Sequence, residues 1–167
     1  MKQNIINFSL FQLGWFVCIL GAAHNYVYEA ILIALGLIIF HLKVTHKKGA
    51  DVRLFIYAVL IGSVFDGFLQ FQQYILYNNP GWPYPLPPLW ILIMWGIFAM
   101  TLNHSLKWMQ GRIVISILFG LIGGPLAYLA GEKLGAITIL STSSLYILAL
   151  GWAIITPLLM GLTKKPC

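Results

Sequence analysis

The sequence predicts an all-α polytopic membrane bundle of six transmembrane helices, with both termini cytoplasmic. Three observations lead there. The 167 residues are 60% hydrophobic and 8% charged, against about 25% charged for a soluble domain, so the charges cannot cover a water-facing surface. Six windows are apolar over the roughly 20 residues that a helix needs to cross about 30 Å of hydrocarbon. Nine of the ten Lys and Arg residues (Lys2; Lys43, Lys47, Lys48, Arg53; Lys107, Arg112; Lys164, Lys165) fall in alternate connections, and the intervening ones hold only Lys133. Basic residues in short loops stay cytoplasmic.

The windows are 5–23, 26–44, 53–77, 89–108, 112–131 and 136–162. Lys2 followed by Gly21-Ala22-Ala23 makes a passable cleavage signal, but Gln12 within the run and a single basic residue before it favour a retained helix. Strands are excluded as spans because the runs are continuously apolar rather than alternating. Short links make neighbouring helices antiparallel, so residues 1–167 form one integral membrane domain. The loop from Asn78 to Pro88 is proline-rich, which excludes helix and favours extended backbone. With Trp82, Tyr84 and Trp90 it reads as an interfacial collar; a lid over a lipid-facing opening is the alternative. Cys18 and Cys167 fall on opposite sides, too far apart for a disulfide. The net charge of +6 is assigned to orientation and anionic lipid headgroups rather than nucleic acid, because the basic residues are spread over four sites.

Polar residues inside the windows carry the functional expectations. Asp66 sits near the middle of the third, where an ionised carboxylate costs at least about 2.5–3.5 kcal/mol. Ser63, Gln70 and Gln73 share its helical stripe, which predicts a stripe facing the bundle interior. Asp66 reads as a proton-relay or catalytic acid, or as a protonated carboxyl tying helices together. Asn103 and His104 lie toward the cytoplasmic end of the fourth window; His104 could shuttle a proton or simply be satisfied by a carbonyl. Counting depth at 1.5 Å per residue puts His41, Gln12 and Ser9 near the level of His104. Gln70, Tyr128 and Ser144 share an outer level, with Gln73 and Ser141 further out. This predicts two polar layers with Asp66 between them. The catalytic candidates are therefore Asp66, His104 and Asn103, and the substrate-binding candidates Gln70, Gln73, Tyr128, Ser144, His41 and Gln12. His24, His41, His46 and His104 have no metal-ligand spacing, and no metal or other cofactor is expected. P-loop, G-x-S-x-G and H-E-x-x-H motifs are absent.

The fifth window carries Gly120, Gly124, Ala127, Gly131 and Gly135 at spacings of four, three, four and four. Such a small-residue stripe lets helices approach closely, within the chain or, alternatively, in a homodimer. Pro125 is expected to kink this helix and free a carbonyl near the depth of Asp66. Glu29, Glu132 and Lys133 read as rim charges.

Leu89-Trp90, Trp95, Thr101-Leu102-Asn103-His104-Ser105, Gly123-Gly124-Pro125-Leu126, Tyr128, Gly131-Glu132-Lys133-Leu134-Gly135 and Val64-Phe65-Asp66-Gly67 resemble a small bacterial inner-membrane family catalogued as domain of unknown function 2878. The resemblance spans nearly the whole chain. It implies the topology and a bacterial inner-membrane location, but no catalytic residues. Members tend to be encoded near cyclopropane-fatty-acid-synthase-like enzymes, which implies lipid metabolism by association only.

Three functions fit these features, in this order. The first is a lipid-associated membrane enzyme or accessory factor in lipid modification, with membrane lipids as partners. The second is a non-catalytic assembly subunit, and the third a small proton-coupled transporter or flippase.

Overall fold

The computed structural model describes residues 2–163. Lys164, Lys165 and Cys167, on which the expectations about the C-terminus and the distance between the cysteines partly rest, lie outside the described residues. Six helices follow in order: α1 (Lys2–Ala23), α2 (Val27–Val44), α3 (Lys48–Phe71), α4 (Leu89–Ala99), α5 (Ile113–Lys133) and α6 (Thr142–Gly161). Five are long and apolar enough to cross a membrane. The outward faces are apolar too: Val64, Leu32 and Ile154 are 75%, 70% and 67% exposed. Contiguous apolar surface of this kind suits hydrocarbon, not water.

Three windows need correction. The fourth is not one helix over 89–108. α4 has 11 residues, about 16 Å at 1.5 Å each, too short to span alone, and only turns and a short 3-10 helix (Lys107–Met109) follow it. Thr101 returns its hydroxyl to the Phe98 carbonyl, and Asn103, His104 and Ser105 bond to side chains of other elements. Such local and cross-chain bonds compete with continued helix. The third window overshoots: α3 begins at Lys48 and ends at Phe71, and β1 (Ile75–Tyr77) follows. The sixth starts too early: β2 (Ile137–Ile139) precedes α6 and pairs antiparallel with β1, Ile75 opposite Ile139. Ser141 then caps α6 by accepting from the Ser144 N–H at 3.4 Å.

The helices ending beside this small sheet stop alike. Asn25, Gln73 and Gly135 have φ of +62°, +55° and +85°. Beyond each, an amide bonds five residues back: Tyr26 to Gly21, Tyr74 to Leu69 and Ala136 to Gly131. This left-handed stop satisfies otherwise orphaned carbonyls. Gln73 is thus a helix terminator with an exposed side chain, not a member of an inward stripe. The loop after β1 is strapped down by Asn79 Nδ2 to the Ala22 carbonyl at 2.7 Å and by the Leu89 N–H to the Pro80 carbonyl at 2.8 Å. Trp90 is fully buried against Tyr77, so its ring packs inside the protein rather than on its surface.

Glycines set the closest helix contacts. A Cβ on Gly120 would meet the Trp152 carbonyl at 2.1 Å, and one on Gly124 the Trp152 ring at 2.3 Å. The stripe on α5 is therefore occupied at these two positions by α6 of the same chain.

Candidate functional site

The α3 helix carries two fully buried carboxylates, Asp51 and Asp66. Fifteen residues separate them, about 22 Å along the helix, so they form two centres at opposite ends of the bundle. Asp66 lies five residues from the end of α3, not at mid-span. The expected arrangement of two polar layers with Asp66 between them is thus corrected: Asp66 belongs to the layer that holds Tyr128.

Around Asp66, the Tyr77 and Tyr128 hydroxyls each donate to Oδ1 at 2.6 Å, and the Trp95 indole N–H donates to Oδ2 at 2.6 Å. β1, α5 and α4 each supply one donor, so the carboxyl ties three elements to α3. Its partners do not include the carbonyl expected to be freed by Pro125. Ser144 instead donates to the Tyr74 carbonyl at 2.8 Å, which ties α6 to the link between α3 and β1. Gln70 is half-buried, with Oε1 unpartnered among the described residues. Ser63 donates to the Val59 carbonyl of its own helix.

The centre at the basic end is denser. Asp51 Oδ2 receives His104 Nε2 at 2.8 Å, His41 Nε2 at 3.1 Å and the Thr45 hydroxyl at 2.9 Å. Asn103 Nδ2 donates to Oδ1 at 2.9 Å. The end of α2, the start of α3 and the turns after α4 thus converge on one carboxylate. Asn7 of α1 closes the arrangement. Its Nδ2 donates to the Met100 carbonyl at 3.1 Å and faces His41 Nδ1 at 3.4 Å, while its Oδ1 accepts from the Ser105 N–H and hydroxyl. Those bonds fix the amide's orientation. The Lys47 ammonium donates to the Asn103 carbonyl at 3.3 Å. The His104 side chain is 14% exposed and that of His41 7%, so His104 is the more reachable imidazole.

Between the centres lies a cavity of about 420 Å³ with α1 on one side and α5 on the other, within the roughly 300–1,000 Å³ of small-molecule sites. Its walls are apolar and aromatic, including Phe11, Trp15, Trp95, Phe98, Phe119 and Trp152. α1 packs on α2 and α4, and α5 on α6, which leaves this gap between the two groups. Gln12, Thr101 and Ser105 reach it, and Ser105 links it through Asn7 to His41. Tyr128 and Trp95 form its wall before Asp66, which lies behind them. Trp90 and Trp152 line it too, and both indole N–H groups are buried without a hydrogen-bond partner among the described residues.

The structure therefore brings together His41, Asn103 and His104 in one centre and Asp66 with Tyr128 in the other. Gln12 joins the cavity; Ser9 and Gln73 face outward. Sequence reasoning missed Asp51, Asn7, Thr45 and Tyr77. Asp51 sits among Lys47, Lys48 and Arg53 and reads as a solvated charge. The one available signal was an acid ten residues after His41 at the same end of the bundle.

The model of a family described as protein of unknown function (DUF2878) matches residues 4–158, and the chain belongs to that family. No curated protein and no solved structure matches the chain.

Proposed function

We propose that this member of the family is a lipid-handling protein of the bacterial inner membrane, taking an acyl chain into the cavity between α1 and α5 as an enzyme or accessory factor in lipid modification. The cavity carries the reading. It is walled by aromatic and aliphatic side chains, set between helices whose outer faces are themselves apolar, and large enough for a ligand. The basic end, with Lys43, Lys47, Lys48, Lys107 and Arg112, faces the cytoplasm in this reading and suits an anionic headgroup. His104 and Asp51 are then the reactive pair. Asp66 shapes the cavity wall through Trp95 and Tyr128.

A transporter draws less support, because the space between the two polar centres is lined mainly by apolar rings rather than by a chain of polar groups.

Comparative lipid mass spectrometry tests the reading. Membranes of a deletion strain are compared with those of strains complemented by wild type or by Ala127→Trp, which fills the cavity. A lipid class altered by deletion and restored only by wild type is the expected result. A deletion that alters no lipid class contradicts it.

A further inference from the structure

We propose that His41, Asp51 and His104 form a site for one divalent transition-metal ion at the basic end of the bundle. The site shares Asp51 and His104 with the lipid reading, but its test reads metal binding and needs no lipid. His41 Nε2, Asp51 Oδ2 and His104 Nε2 lie within 4.8 Å of one another, with the two imidazole nitrogens 3.1 and 2.8 Å from the same carboxylate oxygen. Bonds of about 2.0–2.2 Å to a tetrahedral ion place ligand atoms about 3.3–3.6 Å apart. Asp51 Oδ2 therefore needs to draw back from the two imidazole nitrogens by only about half an ångström to admit one, while those nitrogens, within 4.8 Å of each other, settle at the same spacing.

The donor set fits. Two imidazoles and one carboxylate leave a fourth position free, the arrangement of catalytic zinc sites, and the same three donors with further open positions suit iron. Three separate elements supply the ligands, so the site is formed by the fold rather than by a flexible segment. Asn103 holds Oδ1 and leaves Oδ2 to the ion, the outer support that metal-bound carboxylates normally have. The Thr45 hydroxyl, 2.9 Å from Oδ2 and 3.3 Å from His104 Nε2, stands beside the fourth position.

Asn7 gives the site a signature. With no ion bound, its Nδ2 faces His41 Nδ1, which must then carry no proton, and Nε2–H donates to Asp51. A metal on Nε2 moves the proton to Nδ1. Loading must therefore switch the His41 tautomer and open the 3.4 Å contact with Asn7.

The full chain, purified in detergent without a polyhistidine tag, is stripped with chelator and titrated with zinc, then with cobalt. The expected result is about one zinc per chain, visible cobalt absorption bands typical of nitrogen and oxygen ligation, and a changed ¹⁵N shift at His41 Nδ1. Asp51→Asn and His104→Gln abolish binding, and Asn103→Ala weakens it by about 10–100-fold. His104 is partly exposed, so His104→Gln is the variant judged against an unchanged thermal unfolding curve. Wild type that binds no zinc, or zinc binding unaffected by His104→Gln in the folded protein, overturns the proposal and leaves a hydrogen-bonded His–Asp–His cluster.

Discussion

Trp95 of α4 and Trp152 of α6 stack face to face, with ring centroids 4.5 Å apart and planes at 8°. Gly62 lies under the outer face of Trp95, where a Cβ would meet the ring at 2.2 Å, and Gly124 lies under Trp152 at 2.3 Å. The four residues form one sandwich, Gly62, Trp95, Trp152, Gly124, that joins α3 and α4 to α5 and α6. Trp95 also donates to Asp66, so the stack fixes both a wall of the cavity and the Asp66 carboxylate.

The sandwich predicts a contrast among glycines. Gly62→Ala and Gly124→Ala each drive a Cβ into the adjoining indole, displace the stack and cost about 1–3 kcal/mol. Gly123→Ala meets nothing nearer than 3.9 Å and leaves stability unchanged. Thermal unfolding in detergent reads the difference; equal melting temperatures for the Gly123 and Gly124 variants contradict the packing described.

Asp66→Asn sets an amide group against partners that now donate to the carboxylate. Leaving one buried donor without an acceptor costs about 1–3 kcal/mol, and Tyr128→Phe costs about 1 kcal/mol through the lost bond. Both variants lower the melting temperature. A fully stable Asp66→Asn protein refutes the tying role of this residue.

Topology is tested by single cysteines in a Cys18→Ala, Cys167→Ser background. Lys107 and Lys133 are both exposed and lie at opposite ends of the bundle. A membrane-impermeant maleimide applied to intact cells labels Lys133→Cys and spares Lys107→Cys. The opposite pattern reverses the orientation.

Much of the helical scaffold was legible because a membrane span is a continuous apolar run, a signal local to the chain. The errors fell where local signal misleads. Ile75-Leu76-Tyr77 and Ile137-Thr138-Ile139 are as apolar as a helix, and their pairing partner lies about sixty residues away. α4 stops because Thr101 turns back on the Phe98 carbonyl while Asn103, His104 and Ser105 find partners on other elements, which no single window displays. Asp66 stood out as a carboxylate in hydrocarbon, although Tyr77, Trp95 and Tyr128 reach it from three other elements. Asp51 was hidden by the opposite effect: its basic neighbours make it look solvated, whereas the fold buries it under two imidazoles and Asn103.

Native mass spectrometry of the full chain released from detergent tests the central claim, an acyl chain held between α1 and α5. Wild type is predicted to retain about one membrane lipid per chain, and Ala127→Trp to lose it while keeping its thermal unfolding curve. Wild type that carries no lipid, or a folded Ala127→Trp protein that retains it equally, contradicts the account.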